Sequence, residues 1–337
     1  MEEHSMKTEH TVWIWAEHRN GRLMDVSLEV LGKARELADE IEGTTAAIII
    51  GGDVQQEADE LLAHGAGTVY LFSDPELELY QNEAYTRLIS DLVLEKQPDI
   101  FLMGATTLAM DLAPTVAARV KTGLTAHSFK LEIDHSGETP LLIAAVPGWG
   151  GGMVVNILCP EHRPQMATVS PGVGDIPDRI ANPVGTVVER DVVLNENDFR
   201  LKTVEMVDEP PDGLQVDQAE TVVAGGYGMK AAGGMQPLKE LADLLGAAVG
   251  GTRPTLEEGW IRESNMIGVS GKIISPKLLF TIATSGASHY SAGFNKAGTV
   301  VAVNNDPGAS VFEQCDIGLV GDVTQILPVM IEMFSRS

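Results

Sequence analysis

The sequence holds only two cysteines, Cys159 and Cys315, and no CxxC pair. Neither an iron–sulfur cluster nor a zinc knuckle can be built from this chain alone. A disulfide framework is equally excluded, which fits a reducing compartment. The histidines (His4, His10, His18, His64, His127, His135, His162 and His289) are scattered without metal-ligand spacing. Basic residues are scarce: 23 Lys+Arg face 48 Asp+Glu, a net charge of −25. No basic run exists to hold a phosphate backbone or an anionic membrane surface, so nucleic acid and membrane lipid are excluded as partners. The acidity either keeps the chain soluble or steers a basic partner. Met1 to His10 lacks the basic and apolar regions of a signal peptide, which predicts a cytoplasmic protein. Leu141 to Cys159 carries no charge, but Pro147, Gly148, Gly150, Gly151 and Gly152 break it at its centre. A glycine-rich backbone in lipid would be left unsatisfied, so two short buried strands, Leu141–Val146 and Met153–Leu158, are expected instead of a membrane span.

Hydrophobic residues make up 44% of the chain, enough for real cores, and 337 residues suit about two domains. The first half alternates strand and helix signals. Thr11–Ala16, Ala46–Ile50, Thr68–Phe72 and Asp99–Met103 are apolar runs. Between them Val26, Val30, Ala34, Leu37, Ala38 and Ile41, then Ala58, Leu61 and Leu62, then Ala84, Leu88, Leu92 and Val93 recur at helical spacing. This pattern predicts right-handed crossovers and a parallel sheet. The segment Gly104-Ala105-Thr106-Thr107 after the fourth run is either a ligand site at a strand end or a tight turn whose Thr hydroxyls satisfy a helix start. From about Val184 to Glu220 acidic residues and Pro210-Pro211 replace the periodicity, reading as an edge strand followed by a linker. A second α/β unit follows, with strands at Thr221–Ala224, Lys277–Ala283, Thr299–Val303 and Ile317–Val320 and a last helix from Val323 to Phe334.

Glycines of the second half cluster at Gly225, Gly226 and Gly228, at Gly250-Gly251, at Gly268 and Gly271, and at Gly286 and Gly293. Such turns before helices can bring backbone N–H groups against a pyrophosphate, or can be ordinary turns. The spacing matches neither a P-loop nor GxGxxG. Ser285-Gly286-Ala287-Ser288-His289-Tyr290 follows an apolar strand, with small residues that leave room for a ligand. Arg253 can stabilise negative charge on a ring or can form a surface ion pair. Asn304 and Asp322 directly follow strands, where ribose and adenine contacts are made. No hydrolytic triad, paired carboxylate or metal motif emerges.

Read together, these residues resemble the alpha subunit of electron-transfer flavoprotein. The resemblance rests on Gly104–Thr107, Asp111-Leu112-Ala113-Pro114, Thr122–Ala126 and Cys159–Val169 in the first half. In the second half it rests on Gly225 to Arg253, Gly271-Lys272, Pro276-Lys277-Leu278, Ser285-Gly286-Ala287, Ala292-Gly293, Asn304, Asp306-Pro307, Phe312 and Gly321-Asp322. It implies an α/β protein of two domains. A Rossmann-like parallel-sheet domain (10–195), resembling adenine nucleotide alpha hydrolases, packs on a beta subunit. A linker (196–219) leads to a FAD-binding domain (220–337) of the deoxyhypusine-synthase type. The implied FAD site comprises Gly226, Tyr227, Thr252, Arg253, Ile267, Gly268, Val269, Ser270, Gly271, Lys272, Ser285, Gly286, Ala287, Ser288, His289, Tyr290, Asn304, Asp322 and Val323. AMP or a second FAD is expected in the beta subunit. The implied function is an electron shuttle from a flavin dehydrogenase, such as an acyl-CoA dehydrogenase of fatty acid beta-oxidation, to a quinone-linked or other acceptor. A subunit of an NADH-dependent bifurcating form, and a flavin-depleted docking subunit, are the alternatives.

The sequence also departs from the family pattern. Tyr227 replaces an arginine, Val269 a glutamine, and the usual Gln-His pair reads His289-Tyr290. By the resemblance, Tyr290 or His289 must serve as donor to flavin O2, and the loss of cationic and polar groups implies retained FAD with an altered potential.

Overall fold

The computed structural model describes residues 10–137, 139–148, 153–207 and 213–336. The expectations for Met1 to Glu9, for the glycines between 149 and 152 and for Pro210-Pro211 lie outside the described residues. The chain divides into two compact units, the first ending at Val207.

The first unit opens with β1 (Thr11–Trp15), the two-residue strands β2 (His18–Arg19) and β3 (Arg22–Leu23), α1 (Asp25–Glu40), β4 (Thr44–Gly51), α2 (Gln55–Ala63) and β5 (Thr68–Ser73). Then come α3 (Asn82–Lys96), β6 (Ile100–Gly104), α4 (Thr107–Val120), β7 (Leu124–Ser128), β8 (Lys130–Asp134), β9 (Leu141–Pro147), β10 (Val154–Ile157), β11 (Gln165–Val169) and β12 (Thr186–Glu189). Seven of these strands form one sheet in the order β12-β5-β4-β1-β6-β11-β7, every pairing parallel. Alternation along the buried strands splits the core between the two faces. Ile14, Ile49 and Leu102 meet Leu31 and Leu37 of α1 and Leu61 of α2. Trp13, Ile48 and Phe101 meet Ile89 of α3 and Leu112 of α4. Both faces are covered, as an all-parallel sheet requires.

β8, β9 and β10 form a separate antiparallel sheet. Here one expectation needs correction. Leu141–Pro147 is a strand with buried Leu142, Ala144 and Ala145, but all four residues of β10 are exposed. An uncharged apolar run shows that a segment is hydrophobic, not that anything in its own chain covers it, and β10 is an open edge.

β12 is the expected edge strand, paired to β5. The chain beyond it is fastened to the first unit. The Arg87 guanidinium on α3 donates to both Asp198 carboxylate oxygens, at 2.7 and 3.0 Å, and to the Val193 carbonyl at 2.7 Å. Gln81 and Thr203 exchange two hydrogen bonds. Residues 196–203, read in the sequence as the start of a linker, thus carry anchored contacts.

The second unit contains β13 (Thr221–Gly225), α5 (Gln236–Leu245), β14 (Ala248–Gly251), α6 (Arg253–Glu257), β15 (Leu278–Ile282), α7 (Ser288–Ser291), β16 (Thr299–Asn304), β17 (Ile317–Val320) and α8 (Val323–Phe334). Its sheet is all parallel, in the order β14-β13-β15-β16-β17. The chain moves outward from β13 to β14, then returns to place β15 on the other side. The crevice where ligands of such sheets bind therefore lies at the carboxyl ends of β13 and β15. Among the described residues, no helix is long and apolar enough to cross a membrane, and no group of His, Cys, Asp and Glu could hold a metal ion.

Candidate functional site

The carboxyl ends of β13, β14 and β15 are stitched together by their loops. The Gly226 N–H donates to the Ile282 carbonyl at 2.9 Å, Thr252 N–H to the Gly225 carbonyl at 3.1 Å, and Ile267 N–H to the Gly251 carbonyl at 2.9 Å. Gly226 is required by close approach: a Cβ there would stand 2.2 Å from the Ala283 carbonyl oxygen. Ala283 itself adopts φ 55°, a left-handed conformation costly for any residue with a side chain. At Gly286, φ is +80° and a Cβ would meet the Val311 N–H nitrogen at 2.2 Å, so only glycine fits that turn.

The turn that Gly286 permits is rich in donors. Ser285, Ala287, Ser288 and His289 are exposed. Among the described residues, no acceptor pairs with the backbone N–H groups from Ser285 to His289. The turn is braced from behind instead: its Ser285 carbonyl accepts from Val311 N–H at 3.1 Å, and the Ser291 hydroxyl donates to the Gly286 carbonyl at 3.0 Å. The Asn304 amide donates to the Thr284 carbonyl at 2.7 Å. A row of N–H groups without a protein acceptor and with no carboxylate inside the turn suits an anionic, phosphate-bearing group. The donor chemistry therefore fits the pyrophosphate of a dinucleotide cofactor.

Two turns meet beside it. Val269 N–H donates to the His289 carbonyl at 2.9 Å, joining the segment Ile267–Lys272 to the 285–290 turn. Val269 and Ser270 are exposed at the tip. Arg253 begins α6, two residues past the end of β14, with its side chain 69% exposed and Glu257 Oε1 at 3.5 Å. It is held in no buried ion pair, so its permanent charge is available to a ligand.

Every residue of the sequence-derived site thus belongs to the carboxyl edge of one parallel sheet, but their side chains do not all face it. Ile267 and Val323 are buried in apolar clusters and can offer only backbone. The Lys272 ammonium is engaged by Asp217 at 2.9 Å. Asp322 caps α8, accepting from Thr324 N–H at 2.8 Å and from the Thr324 hydroxyl, which holds its carboxyl below the usual range. Asn304 spends its Oδ1 on Asp306 N–H, so it serves the loops on either side of it.

Tyr290 differs most from its expected role. Its ring packs on Phe294 with centroids 5.1 Å apart, inside the core. Its hydroxyl lies 2.9 Å from Thr281 Oγ1, which is 2.7 Å from Thr284 Oγ1, all buried. Burial raises the phenol pKa out of reach, against a smaller opposing effect of the Thr281 bond. Tyr290 therefore cannot be the donor suggested by its position, and His289 is the residue of that pair facing solvent. Tyr227 is exposed, as a ligand residue should be, but its ring stacks on Trp260. Trp260 and Lys230 were not foreseen in the sequence, because their stacking and hydrogen bonding around Tyr227 join segments distant in the chain or concern a side chain with no motif of its own.

The first unit treats its corresponding crevice differently. At the carboxyl ends of β1 and β6, the buried Glu17 carboxylate accepts from the Thr106 hydroxyl and from Arg19. Thr106 Oγ1 in turn accepts from Ala109 N–H at 3.0 Å as the N-cap of α4. Of the two readings of Gly104–Thr107, the structure supports the turn with a capping threonine.

Comparison with known proteins agrees with this division. A family model described as "Electron transfer flavoprotein domain" matches residues 12–194, and one described as "Electron transfer flavoprotein FAD-binding domain" matches residues 215–295. The chain belongs to the alpha-subunit family of electron-transfer flavoproteins. Among its relatives, "Electron transfer flavoprotein subunit alpha" of Thermoanaerobacterium thermosaccharolyticum is 41% identical, with 96% of this chain and 98% of that protein covered. The protein of the same name from Megasphaera elsdenii is also 41% identical, with 96% of each chain covered. "Lactate dehydrogenase (NAD(+),ferredoxin) subunit LctC" of Acetobacterium woodii is 34% identical, covering 96% of this chain and 76% of that protein. The donor-rich edge described above lies in the FAD-binding domain of this electron-transfer flavoprotein subunit.

Proposed function

We propose that this alpha subunit carries one FAD at the carboxyl edge of its second sheet and forms a heterodimer with a beta subunit. Electrons pass from a flavin dehydrogenase, through that FAD, to a quinone-linked or other acceptor. The observation that carries this reading is the run of N–H donors from Ser285 to His289 with no acceptor among the described residues, at the switch point of a parallel sheet whose β14 end carries the exposed Arg253. When bound, FAD supplies the redox chemistry. The chain supplies position and electrostatics. The 285–289 backbone receives the phosphates, and the Gly226 and Thr252 loops line the crevice. The Arg253 guanidinium favours negative charge on the ligand's ring system. Ser270, His289 and Tyr227 are further exposed polar groups of this edge, whereas Tyr290 and Asn304 hold the loops from behind.

The exposed apolar edge strand β10, with Val154 62% and Val155 42% exposed, suits the surface on which a beta subunit packs. AMP or a second FAD then belongs to that partner, because Glu17 occupies the first unit's own crevice. The likeness to LctC favours a second reading, a subunit of an NADH-dependent bifurcating complex. Co-expression with the beta subunit and chromatographic identification of the released nucleotides separates the readings. One FAD with AMP per heterodimer supports the simple shuttle, two FAD support the bifurcating form, and a stable colourless complex leaves only a docking role.

A further inference from the structure

α6 has five residues, far too few to hold its own direction in water. It is fixed at both ends by the same loop. At its start, Thr252 N–H donates to the Gly225 carbonyl at 3.1 Å. Just past its end, Trp260 N–H donates back to the Thr255 carbonyl at 2.9 Å, which makes the Trp260 backbone part of the α6 turn. The Trp260 indole then lies nearly parallel to the Tyr227 ring, at 9° with centroids 6.1 Å apart. Lys230 also secures Tyr227: its ammonium donates to the Tyr227 hydroxyl at 3.0 Å and lies 5.2 Å from the ring centroid. Glu258 Oε1, on the turn after α6, is 4.0 Å from the same ammonium. Gly225 and Tyr227 therefore grip α6 from both ends. Arg253 projects from the gripped helix.

We infer that Trp260 and Tyr227 are positioning residues that clamp α6 and thereby aim Arg253 at the cofactor's ring system. The inference rests on the flavin reading above and deepens it. Tyr227 acts through its stacked ring, and Lys230 steadies that ring through the hydroxyl. An aromatic stack adds about 0.5–1.5 kcal/mol, so its loss corresponds to a roughly two- to tenfold change in an equilibrium constant.

The test uses the purified heterodimer and reads the reduction potential and dissociation constant of bound FAD. Trp260→Leu is expected to weaken FAD binding about two- to tenfold and to move the potential in the same direction as Arg253→Ala. In the Trp260→Leu background the Arg253→Ala shift should shrink, because an arginine already misdirected has less to lose. Trp260→Phe, which keeps a stacking ring, should restore both values toward wild type. If Trp260→Leu fails to assemble, Tyr227→Leu, an exposed position, carries the same expectations. A wild-type potential in the leucine variants, with the Arg253→Ala effect undiminished, overturns the clamp while leaving the flavin site intact. A wild-type complex lacking FAD overturns the flavin reading and the clamp with it.

Discussion

Tyr290 shows how a residue can keep its place in a motif and change its work. Its phenol bonds Thr281 inside the core, behind the turn that Ser285 to His289 present to solvent. Tyr290→Phe removes one buried neutral hydrogen bond and is expected to cost about 0.5–1.5 kcal/mol, read as a lower melting temperature. FAD content should be unchanged, because the hydroxyl does not face the site; loss of FAD would show that it does. Gly226→Ala should act oppositely. A Cβ 2.2 Å from the Ala283 carbonyl forces the β13 and β15 loops apart. The cost is about 1–3 kcal/mol of overpacking, and flavin absorbance of the purified complex should fall to a small fraction of wild type. The sequence named both residues, since glycine and aromatic positions in a motif are readable. It could not show which way Tyr290 points, because one residue's rotation about a four-residue helix decides between core and crevice.

At the scale of elements, long apolar runs were legible and short polar or glycine-rich strands were not. Ile317–Val320 and Val323–Phe334 were read with the bounds they have, and the strands of the first half within one or two residues at most ends. β11, Gln165–Val169, was missed although it is buried throughout and sits between β6 and β7. Its polar members are satisfied from outside the strand: the Gln165 side-chain Oε1 accepts from Leu142 N–H and the Thr168 hydroxyl from His127 N–H, pairings no local pattern reveals. β14 was hidden because half of it is Gly250-Gly251.

The fastening of residues 193–203 to α3 was equally invisible, since Arg87 and Asp198 are 111 residues apart. Burial raises the Asp198 carboxyl pKa, but the Arg87 bond and the Asn195 N–H outweigh it and leave the group below its usual value. A depressed pKa means the stabilisation is complete above the unfolded value of about 3.9 and fades as pH falls through the lower folded value. Arg87→Ala is expected to cost about 1.5–3 kcal/mol at neutral pH, with the difference from wild type vanishing in strong acid. Limited proteolysis between 193 and 207 would report the release of the segment.

For the whole molecule, two parallel sheets of similar design have been put to different uses. The first fills its switch-point crevice with Glu17, Thr106 and Arg19. The second leaves the N–H groups from Ser285 to His289 without an acceptor among the described residues and places Arg253 in an exposed ion pair with Glu257. An acidic chain without clustered cysteine or histidine can still belong to a redox family, because the family's FAD-binding domain obtains its chemistry from a flavin. The two parallel-sheet units and the positions of the glycine turns were readable from sequence. The contrast between a filled and an open crevice was not, because it depends on where Glu17 turns after β1. The central claim is that the open crevice holds FAD. The most direct test is the flavin content of the co-expressed, purified alpha–beta complex, measured by visible absorbance and chromatography of the released nucleotide, alongside an Arg253→Ala, Gly226→Ala variant. The account predicts one FAD attributable to this subunit in the wild type and its loss in the variant. A folded, colourless wild-type complex, or flavin unaffected by both substitutions, would contradict it.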